Sequence, residues 1–305
     1  MSQLAFFGGQ IVPIEQAKVS IMTHALNYGT GCFEGIRAYW NAAEEQLFLF
    51  RAREHFERMH RSARILLINI PHSADELHKI TAELLRAEGH RCDVYVRPMA
   101  FKSDPIIDVR LHNMNDAFAI YAIPFGSYLA NDEGARVCIS SWQRIDDNAI
   151  PARAKITGSY INSALIKSEA VLNGFDEALV MTDAGHISEG SAANFFMIRN
   201  GQLIAPPVNS NIVEGITRAS IIQLAQEELG VTTVQRSIDR SEVYTADECF
   251  FCGTGVQIVA IVEVDHRPVG SGRMGPLVRQ LRELYHSVVH GEMPKYRHWC
   301  TPVYP

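Results

Sequence analysis

Pro151-Ala-Arg-Ala-Lys-Ile-Thr-Gly-Ser-Tyr160 is the stretch on which the reading of the chain turns. It closes an extended region and opens a helix, so Lys155 falls at the junction. Its neighbours Thr157, Gly158 and Ser159 are small or hydroxylated and allow a ligand to approach closely. A free lysine titrates near ~10.4 and is a poor nucleophile at neutral pH. Alone, Lys155 reads as a solvated surface amine; three downstream segments change that.

In Ile187-Ser-Glu-Gly190, just before the apolar run Asn194-Phe-Phe-Met-Ile198, Glu189 places a carboxylate at a strand end. A fixed carboxylate there can keep a pyridine nitrogen protonated. Glu214-Gly-Ile-Thr-Arg218 opens an amphipathic helix. The unpaired N–H groups and positive dipole end at Gly215, Ile216 and Thr217 suit a phosphate. Gly253-Thr254-Gly255 follows a strand-like run and offers a second amide cradle. Arg58, in Glu57-Arg-Met-His60, could add a guanidinium to the same phosphate. Each has a plainer alternative taken singly: turn acid, ordinary helix cap, tight turn, surface arginine. One amine, one carboxylate and two phosphate cradles in this order suit a phosphorylated aldehyde held as a Schiff base. The cofactor expected is pyridoxal phosphate, with Lys155 as its covalent anchor and proton carrier.

Tyr95 and Arg97 alternate on one strand and so face one side. Tyr28, Phe33 and Arg37 cluster in Asn27-Tyr-Gly-Thr-Gly-Cys-Phe-Glu-Gly-Ile-Arg37. Together they could hold an apolar side chain and a carboxylate, although aromatics also pack simply as core.

Working outward, 305 residues at 47% hydrophobic and 20% charged can bury a sizeable core as one large or two modest domains. A net charge of −6 leaves no footprint for nucleic acid. No signal-like start and no apolar run of bilayer-spanning length is present, so a cytoplasmic setting is expected. Cys249 and Cys252 lie on a strand, where residues three apart face opposite ways, and no histidine spacing suggests a metal site. His55 and His60 fall in a charged helix and read as solvated.

The element pattern mixes strands and helices without strict alternation, an α+β character. A helix runs from about Ala52 with Phe56, Met59, Ala63 and Leu66 inward. Ser73-Ala-Asp-Glu76 is a capping box ahead of Leu77, Ile80 and Leu84, with Gly89 as the stop. Later helices carry Ile161, Leu165 and Leu172; Ile221, Leu224, Ala225 and Leu229; and, from Pro276, Leu277, Leu281, Leu284 and Val288. The expected organisation is a smaller N-terminal domain over 1–125, a linker over 126–134 and a larger cofactor-binding domain over 135–305.

Several of these segments resemble branched-chain amino acid aminotransferases, of the fold-type IV group of pyridoxal phosphate enzymes. They are His24-Ala-Leu-Asn-Tyr-Gly29, Phe33-Glu-Gly-Ile-Arg37, Tyr95-Val-Arg-Pro98, Ala154 to Tyr160, Ile187-Ser-Glu-Gly190, Gly215-Ile-Thr-Arg218 and Gly253-Thr254. The resemblance covers nearly the whole chain. It implies a two-domain, D-amino acid aminotransferase-like fold. It also implies a ping-pong transaminase acting on branched-chain L-amino acids and 2-oxoglutarate, in a homodimer or dimer-based assembly. By resemblance, Tyr160 bonds the cofactor's phenolic oxygen, and Arg58, Ile216, Thr217 and Thr254 hold its phosphate. Thr254 and Gly255 meet the substrate α-carboxylate. Tyr28, Phe33, Tyr95, Arg97 and Tyr128 line the side-chain pocket, where Arg97 and Tyr28 also help hold the distal carboxylate of glutamate. The chain departs from the group at Lys102 to Arg110 and at Gly255-Val256-Gln257. The alternatives are an (R)-amine or D-amino acid transaminase, an aminodeoxychorismate-type lyase, and a non-catalytic binder of the cofactor.

Overall fold

The computed structural model describes residues 3–126 and 134–305. Tyr128 and most of the expected linker lie outside them. The chain forms two compact units. The first comprises residues 1–126, 154–158 and 287–305, and the second 127–153 and 159–286. Two stretches thus differ from the division made on sequence, because 154–158 and 287–305 belong to the first unit. The reason is backbone pairing: Ile156 bridges to Cys32, and Cys300–Pro302 pairs with a strand of the first sheet.

The first unit contains β1 (Leu4–Phe7), β2 (Gln10–Pro13), α1 (His24–Tyr28), β3 (Gly31–Phe33), β4 (Ile36–Asn41), β5 (Gln46–Phe50), α2 (Ala52–Ile65), α3 (Ala74–Glu88), β6 (Val94–Lys102) and β7 (Asp116–Pro124). Its sheet runs from the C-terminal strand through β5-β4-β6-β7-β1-β2, with β3 paired beside β4 on β6. Along β6, Val94 and Val96 are buried and Tyr95 and Arg97 half-buried, the alternation a one-sided sheet dictates. The inner stripe of α2 (Phe56, Met59, Ala63) and most of that of α3 (Leu77, Leu84) are buried as expected, while Ile80 is half-buried. The Ser73–Glu76 box caps α3 reciprocally, and Gly89 ends it in the left-handed conformation. Lys102, the first residue of the departure from the group, ends β6 and is buried, paired with Asp116 at 2.8 Å and donating to the Leu67 carbonyl.

The second unit contains β8 (Ala135–Gln143), α4 (Tyr160–Leu172), β9 (Glu177–Met181), β10 (Ile187–Gly190), β11 (Asn194–Arg199), β12 (Gln202–Ala205), α5 (Ile216–Leu229), β13 (Thr233–Gln235), α6 (Arg240–Val243), β14 (Glu248–Gly253), β15 (Gln257–Val264), β16 (Arg267–Pro268) and α7 (Pro276–Val289) as far as His286, the last three residues of α7 belonging to the first unit. Its sheet order is β10-β9-β8-β15-β14-β11-β12-β13, with β16 on β15. β8 pairs in parallel with β9 and β15, and most of the rest is antiparallel. The core packs Phe195, Phe251, Met197, Leu179 and Ile261, each fully buried aliphatic or aromatic side chain contributing ~1.5–3 kcal/mol. Cys249 and Cys252 are both buried on β14; burial pushes both thiols up, Cys252 to about 12.

The expected inward face of α4 is wrong. Ile161, Leu165 and Leu172 are exposed, whereas Asn162, Ser163, Ile166 and Ala170 are buried. The small residues let the helix lie close to its sheet, packing on Cys138, Ala178 and Val180. That selects the face containing positions 162, 166 and 170. Among the described residues, no helix is long and apolar enough to cross a membrane.

Candidate active site

Lys155 is fixed by main chain. The Phe33 N–H donates to the Lys155 carbonyl at 3.0 Å, the Thr157 N–H to Gly31 at 2.8 Å and the Gly158 N–H to Gly29 at 3.1 Å. The segment therefore runs as an added antiparallel edge on β3. The Thr157 hydroxyl is within 2.8 Å of the Gly29 carbonyl and 3.1 Å of that of Gly31. The Lys155 N–H donates to Ser62 Oγ on α2 at 3.2 Å. The close approach explains two glycines: a Cβ on Gly29, whose φ is +67°, would sit 2.6 Å from Gly158 Cα.

Around the amine gather three of the expected pocket residues. Lys155 Nζ lies 5.0 Å from the Phe33 ring centroid, and the Arg97 guanidinium lies 4.4 Å from the same ring. Arg97 Nη2 donates to the Tyr95 hydroxyl at 3.0 Å. That hydroxyl fills the space a side chain at Gly35 would need. Tyr28 ends α1, partly exposed, against the His24 ring. Arg37 is occupied differently: its Nη2 donates to the carbonyls of Phe125 (2.7 Å) and Gly126 (3.0 Å), and its guanidinium lies over the Tyr39 and Phe125 rings.

Arg58 is not a surface arginine. Its Nε and Nη2 make a bidentate pair with Glu34, both at 2.7 Å, and His55 Nδ1 is 2.8 Å from the same carboxylate. All three side chains are buried, so the expectation of a solvated His55 fails. Burial pushes the Glu34 carboxyl up, but the Arg58 charge and the bonds from Arg58 and His55 outweigh it and hold it well below the usual range. For His55 burial wins over Glu34, lowering its pKa and favouring neutral imidazole. The charge-assisted fork fixes the direction of Arg58. Ser62, which holds the Lys155 N–H, is four residues on and shares its helix face.

In the second unit Glu189 is buried on β10. Arg144 Nη2 lies 2.8 Å from Oε1, Asn194 Nδ2 donates to Oε2 at 2.9 Å, and the Val213 N–H donates to Oε2 at 3.3 Å. Asn194 also reaches the start of α5, where its Oδ1 occupies the place a Gly215 Cβ would take. As N-cap of α5, Gly215 has no side chain to accept from the first turn, so those amides stay available to an anion. Ile216 and Thr217 are buried there. Gly253 ends β14, where a Cβ would lie 3.8 Å from Ala193 Cα and 3.9 Å from the Ala192 carbonyl, in the segment that links β10 to β11. Thr254 and Gly255 form the turn that follows, closed by Gln257 at φ +56°. Tyr160 is the first residue of α4.

Sequence reasoning missed Arg144, Asn194, Glu34, His55 and Ser62 as contributors. Two carried a signal, because Glu34 and Asn194 are polar residues embedded in apolar strand-like runs. Arg144, in Trp142-Gln-Arg-Ile-Asp-Asp-Asn148, carried none.

Each unit by itself carries side chains of the kinds pyridoxal phosphate needs: in the first a lysine anchored by its backbone and a fixed arginine, in the second a buried oriented carboxylate and an open helix start. Comparison with known proteins agrees. Residues 31–264 match the family model for amino-transferase class IV. The chain is 48% identical to a probable branched-chain-amino-acid aminotransferase of Aquifex aeolicus, over 98% of this chain and 96% of that one. The branched-chain aminotransferase of Thermoproteus uzoniensis, solved with norvaline, superposes with a TM-score of 0.95 at 43% identity, covering 100% of both chains. The branched-chain amino acid aminotransferase of Thermobaculum terrenum, solved in its PLP form, gives 0.95 at 37%, covering 100% of this chain and 99% of that one. The chain therefore belongs to the class IV aminotransferase family, among its branched-chain-amino-acid aminotransferases.

Proposed function

We propose that the protein is a pyridoxal phosphate-dependent transaminase that moves the amino group between leucine, isoleucine or valine and 2-oxoglutarate. The observation that carries this reading is Lys155, pinned by its backbone to β3 with its amine over Phe33 and beside Arg97. When bound, the cofactor supplies an aldehyde that condenses with amines and a ring that accepts the electron pair left by a departing α-proton. Lys155 Nζ would hold the aldehyde and would move the proton at the substrate α-carbon. Glu189 would accept a hydrogen bond from the ring nitrogen, and Tyr160 would bond the phenolic oxygen. The first-turn amides of α5, Thr217, Thr254 and Arg58 would hold the phosphate, with Arg58 aimed by Glu34. Thr254 and Gly255 would receive the α-carboxylate. Phe33 and Tyr95 offer an apolar wall to a branched side chain, and Arg97 a cation for the distal carboxylate of glutamate, so one pocket serves both half-reactions.

Replacing Lys155 with alanine is expected to lower turnover at least ~10⁴-fold and to abolish borohydride fixation of the cofactor to the 155-containing peptide. Full activity in pure Lys155→Ala protein would refute the assignment. Assay of L-leucine beside D-alanine and (R)-1-phenylethylamine, with 2-oxoglutarate as acceptor, tests the substrate class. We further propose a homodimer in a cytoplasmic setting. Val19, Ile21, Met22 and Leu26, with Ile107 and Val109, leave apolar side chains exposed on the first unit that a second copy would cover. Light scattering that gives a monomer at micromolar concentration would dispose of the dimer.

A further inference from the structure

Arg144 forms an ion pair with Glu189, its Nη2 lying 2.8 Å from Oε1, and Asn194 Nδ2 and the Val213 N–H donate to Oε2. Arg144 is tied in its turn: its Nε reaches the Asn211 carbonyl at 3.3 Å, its Nη1 the Ser163 hydroxyl at 3.4 Å, and its own N–H donates to the Met181 carbonyl at 2.9 Å. The 210–213 segment, which accepts the Arg144 Nε bond at Asn211, is also held by the Ser188 hydroxyl donating to the Ser210 carbonyl at 2.6 Å. Glu189 therefore sits in a frame of fixed dipoles closed by one fixed positive charge.

Among the described residues, Arg218 and Cys252 also act electrostatically on Glu189, and neither replaces Arg144. Arg218 is committed to the Pro206 carbonyl (3.0 Å) and Gln235 (2.9 Å). The Cys252 thiol, pushed up to about 12 by burial, stays neutral.

We propose that Arg144 is a positioning residue for the transamination reaction, keeping Glu189 in its carboxylate form so that the shared proton resides on the cofactor's ring nitrogen. The inference rests on the reading that Glu189 meets that nitrogen. Relative distance decides the effect. A guanidinium paired with Oε1 at 2.8 Å is nearer to the carboxylate than to any group donating to the carboxylate from another direction. Its attraction for the carboxylate charge then exceeds its repulsion of a cationic donor. Transfer of the proton from ring to Glu189 would cancel the larger, favourable interaction and relieve only the smaller one. Arg144 thus biases the pair toward charged carboxylate and charged ring, the state in which the ring withdraws electrons best. Asn194 and Val213 add orientation without charge, and Asn194 joins this frame to the start of α5.

The test is nitrogen NMR of holoenzyme loaded with ring-¹⁵N pyridoxal phosphate, followed against pH in wild type, Arg144→Gln, Arg144→Lys and Glu189→Gln. Circular dichroism checks that each variant is folded. In the wild type the nitrogen is expected to remain pyridinium-like through neutral pH. In Arg144→Gln its deprotonation midpoint should fall by about one pH unit or more, and Arg144→Lys, which keeps the charge, should recover most of that shift. A wild-type midpoint in folded Arg144→Gln, with a displaced one in Glu189→Gln, overturns the role of Arg144 and leaves the Glu189 assignment standing. A wild-type midpoint in Glu189→Gln overturns both. Should Arg144→Gln fail to fold, Arg144→Lys decides. A midpoint near the wild-type value supports control by charge, and a full one-unit drop despite the ammonium overturns it.

Discussion

Glu34 and Glu189 are both sealed from solvent, at 0% and 2% exposure, and both meet an arginine nitrogen at 2.7–2.8 Å. In the first unit both oxygens of Glu34 are taken by the bidentate fork of Arg58, and His55 adds a further bond. That carboxylate serves the cation beside it, fixing the direction of a guanidinium that the proposed function assigns to a phosphate. In the second unit the proposed relation is reversed. Glu189 pairs through Oε1 with Arg144, while neutral donors hold Oε2, and the proposed function gives the carboxylate itself the contact with the cofactor. The same pair of residue types thus supports an arginine in one place and a glutamate in the other. The element that a variant damages should differ accordingly.

The sharpest way to break this contrast is to make the same isosteric change at both acids. Glu189→Gln removes the charge that stabilises a protonated ring, and turnover should fall roughly 10²- to 10³-fold. Glu34→Gln leaves the buried Arg58 without its counter-charge, and stability should fall by about 3–5 kcal/mol in urea or thermal unfolding. Arg144 keeps its bonds to the Asn211 carbonyl and the Ser163 hydroxyl when position 189 is neutral, so the stability loss there should be the smaller of the two. If Glu189→Gln unfolds as readily as Glu34→Gln, or Glu34→Gln keeps wild-type stability, the two carboxylates do not divide the work as described.

These two acids also mark where sequence stopped being informative. The local settings of Glu189 and of Gly215 to Thr217 were legible because each needs a particular residue type beside a particular element: an acid near a strand end, amides at a helix start. The capping box at Ser73 and the stop at Gly89 were legible for the same local reason. What failed depended on pairing across long separations. That Lys155 belongs with the first unit rests on hydrogen bonds to residues more than 120 positions earlier, which no window of sequence contains. His55 looked solvated because its helix is charged, yet its partner is Glu34 on another element. The stripe on α4 misled because large apolar residues outvoted the small ones that touch the sheet.

A second contrast separates how the two units hold a functional group at all. Lys155 is held by main-chain bonds to β3, whereas Glu189 is held mostly by side chains. Gly29→Ala probes the first arrangement. It places a methyl 2.6 Å from Gly158 Cα in a left-handed backbone that L-residues adopt at a cost of about 1–2 kcal/mol before any clash. The β3 edge and the 154–158 segment must separate to admit it. Stability should fall by ~2 kcal/mol or more, and cofactor loading at Lys155, read by absorbance, should weaken. A Gly29→Ala protein that loads cofactor as tightly as wild type would show that the ladder does not set the position of the amine.

The smallest expected effect is one of pH, and its sign follows from the same buried trio. His55 has a folded pKa lowered by burial, so between that value and the unfolded value near ~6.5 the unfolded chain binds more protons than the native one. Its contribution to stability is complete above ~6.5 and is lost as pH falls toward the folded value. Glu34 is likewise depressed, by Arg58 and His55 against its burial, so its contribution is lost only below the ordinary glutamate range near ~4.3. Acid should therefore weaken the first unit in two steps, histidine first and glutamate after it. One proton changes stability by at most ~1.4 kcal/mol per pH unit. The chain holds eleven other histidines, so the informative quantity is the difference between wild type and His55→Gln in urea midpoints from pH 8 to pH 5. That difference should shrink as pH falls, because only the wild type forfeits the contribution of a neutral buried imidazole. A difference that stays constant over this range would mean that His55 carries the same charge folded and unfolded, and that Glu34, not burial, governs it.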